Sequence, residues 1–398
     1  MEEKLKKKID ESKLDYVKRI VYGKLKDKTI DNDYSELAPL VFDKEYSSDV
    51  ARRMFYGARN ILDMIDENKI NNIDDNEVLK EIEEKRLELE KMKIQYQDQK
   101  REYNNYLRAD ARFEHLQETM KQEILRLNEL KPLVVKDTPN IIGENHVVSI
   151  LSDWHTGIKE KNYWNEISID ILRDRIEKLQ NKIISICERH EVSTLHTEIL
   201  GDMINGLIHV TTRISNEEDV IKQTMICAEI LANMITNLAS KIPNIKIYST
   251  IGNHGRCVAN AKESLDVENF ERLVPWYLQA RLINIKNIEF CGNVYDDGII
   301  VYQFLNETIF AVHGHEDKVA TAVSDLSKML KIFPTELHMG HYHSYYEKDD
   351  HDISTIVNGT ASGVDKYAKG IRKTGRATQT CMVYTNEGRE CTYKIKLN

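Results

Sequence analysis

From His146 onward, short apolar runs of strand length alternate with longer stretches of helical periodicity. The runs are HVVSILSD, LHTEILGD, IKIYSTIGN, ETIFAVHGH and ELHMGHYHS, each rich in β-branched residues. Between them, residues 169–187 and 220–238 repeat apolar positions at amphipathic-helix spacing. This alternation predicts α/β architecture. Residues 289–304 and 381–396, the latter with an Asn386-Glu387-Gly388 turn, read as hairpins that add antiparallel strands. The expected catalytic domain, 146–398, is two packed mixed β-sheets flanked by helices.

The N-terminal third has a different pattern and predicts an all-α region. Between Gly57 and Pro132 no glycine or proline intervenes, and from Asp75 the chain is rich in Glu, Lys, Gln and Leu. One heptad assignment aligns Ile82, Leu89, Tyr96, Tyr103 and Ile124, with Met92, Tyr106, Phe113, Met120 and Leu127 three residues further on. Lys85, Gln99, Asp110 and Gln117 interrupt that seam with polar groups. A long helix or coiled coil over 75–131 is expected, with a homodimer as one outcome and a solvated helix lying on the catalytic domain as the other. Pro132 and Pro139 bracket a linker, 132–145. Within 1–74, residues 34–42 and 48–62 form two helices at helix-turn-helix spacing, and Arg52, Arg53 and Arg59 on the second would meet DNA phosphates or base edges. Fourteen Lys and Arg against twelve Asp and Glu in residues 1–60 leave little excess charge, so a plain packing pair is an equal alternative.

Charge and composition narrow the partners. A formal net charge of -9 excludes a uniformly basic coat, so any polyanion site must be local. The most basic stretch of the catalytic half carries Lys366, Lys369, Arg372, Lys373 and Arg376 against Asp365 alone, with Gly370 and Gly375 interleaved. It reads either as a flexible loop that tracks a polyanionic backbone or as a solvated surface. Six scattered cysteines without a C-x-x-C pair suggest neither a disulfide framework nor a thiolate zinc site. No apolar leader and no run approaching the roughly eighteen residues of a membrane span are present, so no membrane partner is expected and a cytoplasmic location is.

Each of the five strand-like runs ends on metal-capable residues: Asp153 and His155, then Asp202, Asn253 and His254, His313, and finally His341 and His343. Strand carboxyl ends are where α/β sheets place ligands. One such residue is usually a helix cap or a packed histidine. Five successive ends bearing carboxylates, an amide and imidazoles are harder to explain that way, because buried polar groups without partners cost several kcal/mol. Metal ions would supply those partners.

These residues also fall into recognisable blocks. Asp153-Trp154-His155-Thr156-Gly157, Gly201-Asp202, Gly252-Asn253-His254, His313-Gly314-His315 and Gly340-His341-Tyr342-His343 follow one another in the order found in calcineurin-like phosphoesterases, which this chain resembles. The resemblance implies a metallophosphoesterase-like sandwich with two divalent ions, one held by Asp153, His155, Asp202 and His343. Asp202, Asn253, His313 and His341 would hold the other, making Asp202 the bridge. Manganese is preferred, with iron or zinc as alternatives that suit the same mixed donors. Phosphoester hydrolysis by hydroxide held between the ions is the implied reaction. His254 would stabilise the transition state or protonate the leaving oxygen, or else only orient Asn253.

Two positions depart from the family pattern. Gly255-Arg256 stands where an acidic residue commonly follows the G-N-H block, so a carboxylate to orient His254 must come from elsewhere; Arg256 could grip a phosphate oxygen instead. Asn205 also replaces an acidic residue found in many relatives. The layout resembles the DNA-repair nuclease and phage branches, which makes nucleic acid the expected substrate, contacted by Lys366, Lys369, Arg372, Lys373 and Arg376. A phosphomonoesterase is the alternative, and a DNA-binding or assembly protein with a vestigial metal site is a third reading.

Overall fold

Strands that are apolar on both faces need cover on both, and the pattern from residue 145 onward shows how it is supplied. In the computed structural model, which describes residues 3–66, 75–127, 130–135, 139, 141–208, 210–261, 263–265, 268–370, 372 and 374–398, the chain divides into two compact units, 1–111 and 112–398. In the first unit, α1 (Lys13–Leu25), α2 (Tyr34–Phe42) and α3 (Ser48–Asp66) surround a core of Ile20, Val21, Leu37 and Phe55. Ser12 and Asp33 cap α1 and α2 by accepting backbone N–H groups. The helix α4 (Asp75–Leu127) then runs for 53 residues. Of the helix-turn-helix arginines, Arg52 pairs with Asp49 and Arg59 with Asp63, while Arg53 lies over the Tyr96 ring of α4.

In the second unit the order is β1 (Asn145–Leu151), β2 (Glu160–Lys161), β3 (Glu166–Ile167), α5 (Ile169–Arg189), β4 (Val192–Leu200), α6 (Val210–Ser215), α7 (Val220–Ala239), β5 (Asn244–Thr250) and α8 (Leu273–Arg281). There follow β6 (Ile288–Phe290), β7 (Ile299–Phe304), β8 (Glu307–Val312), α9 (Ala322–Leu330), β9 (Glu336–Met339), β10 (Tyr346–Asp350), β11 (Ile353–Val357), α10 (Lys366–Gly370), β12 (Thr378–Thr385) and β13 (Gly388–Lys396). One sheet has the order β13-β12-β1-β4-β5-β6, the other β10-β11-β9-β8-β7, and both mix parallel and antiparallel pairs. Val147 and Leu151 of β1 face the core shared with α5 and α7, whereas Val148 and Ile150 face a core between the sheets with Ile309, Ala311 and Ile356. Helix α5 is capped by Ser168 and buries Leu172, Ile176, Leu179 and Ile183. Leu133, Val135 and Ile141, from the stretch expected to be a linker, pack against the same core.

Residues 289–304 do not form the expected hairpin. β6 pairs parallel with β5 in the first sheet and β7 antiparallel with β8 in the second, because the connection carries the chain from one sheet to the other. The second expected hairpin is present as β12 and β13.

The core between the sheets contains charge. His338 on β9 is fully buried, with Nδ1 2.9 Å from Glu198 Oε1 on β4 and Nε2 3.0 Å from Glu336 Oε2. Tyr302 donates to Glu198, while Tyr384 and Arg389 donate to Glu336. Buried ions tolerate this only when every partner is in place. Burial alone would pull the imidazole down, but the flanking carboxylates override it and raise its pKa from 6.5 to about 9. A raised folded-state pKa contributes stability that is complete below the unfolded value and lost as pH rises through the folded one. Denaturant midpoints should therefore fall between pH 6.5 and about 9, by a few kcal/mol in unfolding free energy. In His338→Gln that pH slope should vanish and the protein should be less stable throughout.

Candidate metal centre

The residues just beyond the ends of β1, β4, β5, β8 and β9 converge. One ligand-type atom from each of Asp153, His155, Asp202 and His343 lies within 4.8 Å of the others, and the same holds for Asp202, His313 and His341. Asp202 is common to both groups. Asn253 joins the second, its Oδ1 3.2 Å from His313 Nε2, which is itself 3.2 Å from Asp202 Oδ2. His343 Nε2 lies 3.3 Å from Asp153 Oδ1 and 3.0 Å from His155 Nε2. All seven expected ligands are thus brought together.

The backbone is unusual at the same place. Asp153, His155, Asp202, His341 and His343 have φ of 54°, 47°, 50°, 67° and 56°, in the left-handed region. Each non-glycine residue there costs about 1–3 kcal/mol and persists only where its surroundings over-determine it. Those surroundings are evident: Asp153 N–H donates to the Gly201 carbonyl and His155 N–H to the Asp202 carbonyl, while His341 N–H donates to the Asp153 carboxylate. Ser152 Oγ donates to Asp153 Oδ2, and Thr360 Oγ1 to the Asp153 carbonyl. The Gly201 and Gly252 backbones meet so closely that a Cβ at Gly252 would lie 2.1 Å from Asp202 N.

The donor set fits cations. His155 and His343 point ring nitrogens at each other, and His155 Nδ1 and His341 Nδ1 are buried without a hydrogen-bond partner. His313 Nδ1 donates to the Leu200 carbonyl, which aims Nε2 at Asp202 and Asn253. Burial opposes ionisation of Asp202, yet the His313 and His254 charges override it and hold its carboxyl well below the usual range. Oxygen and imidazole donors without thiolate suit borderline divalent ions.

The five blocks follow in order and converge at the ends of strands from two sheets. In these blocks and in where they converge, the chain resembles the calcineurin-like metallophosphoesterase superfamily. No protein-family model matches the chain. It is similar to the SPbeta prophage-derived uncharacterized protein YonJ of Bacillus subtilis strain 168, 23% identical over 333 residues that span 81% of this chain and 82% of that one. Among solved structures, a novel archaeal phosphodiesterase is 16% identical with a TM-score of 0.31, over 63% of this chain and 99% of that one. Vacuolar protein sorting 29 from Cryptosporidium parvum is 12% identical with a TM-score of 0.31, over 63% and 98%. At such scores these structural likenesses carry no weight.

Two groups at the centre lie outside the motif residues. His254 Nδ1 donates to the Asn205 backbone carbonyl at 2.8 Å, so a main-chain oxygen takes the orienting role left open by Gly255 and by the amide at Asn205. Glu271, buried just before α8, accepts N–H bonds from Asp202, Met203 and Ile204 after β4 and from Gly252 after β5. Burial and the Asp202 charge push its carboxyl up to about 7, against backbone donors that favour the anion. A Cβ at Gly255 would lie 2.0 Å from Asn269 Oδ1 and 2.8 Å from Glu271 Cγ, so these two side chains fill the space beside it. The missing acid after the G-N-H block signalled that His254 is oriented from elsewhere; neither the Asn205 carbonyl that orients it nor the N–H groups gathered by Glu271 were legible from spacing.

The remaining expected residues are less central. Arg256 is not among the residues lining the cleft, and its Nε is buried without a hydrogen-bond partner. Lys366 lines the cleft, and Lys369, Arg372 and Arg376 are exposed on the same segment, whose first part is the short helix α10 rather than an open loop. Lys373 lies outside the described residues.

Glu271→Gln replaces one acceptor oxygen with a donor facing backbone N–H groups. Calorimetric titration with Mn²⁺ should show affinity lowered about 10- to 100-fold in this variant, and Asp202→Asn should abolish paired-ion binding, both with native circular dichroism. Unchanged Mn²⁺ affinity in Glu271→Gln would remove Glu271 from the site.

Proposed function

We propose that the protein is a nucleic-acid phosphodiesterase working with two divalent ions, manganese first among manganese, iron and zinc. Asp153, His155, Asp202 and His343 would hold one ion, and Asp202, Asn253, His313 and His341 the other. Bound there, such ions supply Lewis acidity toward water and the phosphoryl oxygens. His254 then has a defined part. With Nδ1–H committed to the Asn205 carbonyl, its transferable proton is on Nε2, which lies 3.9 Å from Asp202 Oδ2. That position suits protonation of a leaving oxygen at the cluster.

The observation that carries the substrate class is the continuity of the cleft wall. A cavity of about 850 Å³ is lined by Asp202, Asn253 and His254 at the cluster and by Gly363, Lys366, Gly370 and Gly375 along the basic segment. A phosphate at the cluster would have its neighbours in reach of successive cations, as a polymer has and a small ester has not. Neutralising Lys366, Lys369, Arg372, Lys373 and Arg376 together should lower DNA or RNA cleavage and flatten its salt dependence. Hydrolysis of bis-p-nitrophenyl phosphate should stay within a few-fold of the parent. Rapid phosphomonoester hydrolysis by a parent that cuts no nucleic acid would establish the phosphatase alternative.

Self-association through α4 is a second part of the proposal. Ile82, Leu89, Met92, Tyr96 and Tyr103 of the heptad seam are exposed along it, while the seam residues Tyr106, Phe113, Met120, Ile124 and Leu127 have side chains outside the described set. Sedimentation equilibrium should give a dimer at micromolar concentration and a monomer once residues 75–127 are deleted. No helix among the described residues is long and apolar enough to cross a membrane.

A further inference from the structure

The small hairpin β2–β3 ends in a tip, Asn162-Tyr163-Trp164-Asn165, that the metal centre does not use. Tyr163 is 93% exposed and Trp164 48%, with ring centroids 5.5 Å apart. Exposed aromatic pairs on a mobile loop need no explanation, but this tip is fastened. Asn162 Oδ1 accepts the N–H groups of Trp164 and Asn165, closing the turn. Asn162 Nδ2 donates to the Val364 carbonyl at 2.9 Å, and buried Asn165 donates to the carbonyls of Ser362 and Val364 at 2.8 and 3.1 Å. Arg175 of α5, also buried, binds Asn165 Oδ1 and the carbonyls of Ala361, Ser362 and Glu166. Gly363, at φ 81°, leaves room for Asn165, whose Oδ1 would lie 2.8 Å from a Cβ there.

The segment to which the tip is fastened is the wall of the catalytic cleft. Thr360, Gly363, Val364 and Lys366 line it, as does Glu160 of β2, which accepts the Lys366 backbone N–H. Thr360 in turn holds the Asp153 carbonyl. Two aromatic rings in edge-to-face contact, on a tip whose backbone is fastened, are thus set one hydrogen bond from the cleft wall, on the side of Lys366.

We propose that Tyr163 and Trp164 form a stacking platform for an unpaired nucleobase of a single-stranded nucleic acid whose backbone enters the cleft. The inference rests on the nucleic-acid reading above and deepens it. Phosphates are matched by the cations of the 366–376 segment, and base faces by the rings, which together are the two elements of single-strand recognition. A duplex hides its base faces within the stack, so the platform would favour unpaired strands or frayed ends.

The test uses the full chain with Tyr163→Ala and Trp164→Ala combined, beside the conservative pair Tyr163→Phe and Trp164→Phe. Anisotropy of a labelled single-stranded oligonucleotide, measured with chelator to prevent cleavage, should show binding weakened about ten-fold or more in the alanine pair and restored in the phenylalanine pair. Hydrolysis of bis-p-nitrophenyl phosphate should be unchanged in both. Equal oligonucleotide binding by the alanine pair and a parent that binds it well would overturn the platform and leave the nuclease reading standing. A parent that hydrolyses the aryl diester but neither binds nor cuts nucleic acid would overturn both.

Discussion

Asp202 is the point through which the rest of the centre is held. Its carboxylate is shared by both groups of ligand atoms, its carbonyl accepts the His155 N–H, and its own N–H is taken by Glu271. The residue is buried and left-handed at φ 50°, two conditions that a chain adopts only under outside constraint. The constraint is a clasp. Glu271 draws the turn after β4 and the turn after β5 onto one carboxylate, and the Gly201 and Gly252 backbones permit the approach. Remove the clasp and the strain at Asp202 has less to oppose it.

The two sheets contribute unequally to this arrangement. β1, β4 and β5 bring Asp153, His155, Asp202, Asn253 and His254, all from one sheet; β8 and β9 bring His313, His341 and His343 from the other. The centre therefore exists only if the sheets keep their relative position. The Glu198–His338–Glu336 network lies between them, with Glu198 on β4 and His338 three residues before His341. A buried ionic network has strict geometry, which apolar side chains alone do not impose. In this protein it sits where a small shift between sheets would separate the two halves of the ligand set.

Cleft and scaffold are linked in the same way. The Asn358–Thr360 segment, which holds Ser152 Oγ and the Asp153 carbonyl, continues into the 361–366 wall, and Arg175 fastens that wall to α5 and to the β2–β3 tip. Substrate-facing groups are thereby carried on the elements that position the cluster.

The chain's local pattern was sufficient for the five strands, α5, α7, the long helix and all seven candidate ligands. Apolar periodicity and motif order are short-range properties, and each block sits directly after the strand that presents it. What depended on tertiary structure was contact between distant segments. The 289–304 stretch has the composition of a hairpin, yet its two halves join different sheets, because pairing partners are chosen by sheet edges that no local window contains. Glu271 is one of many acids in the sequence, and only the fold brings it to N–H groups 19 to 69 residues away. The support for His254 is a backbone carbonyl, which carries no residue-type signature at all, so three-dimensional proximity alone identifies it.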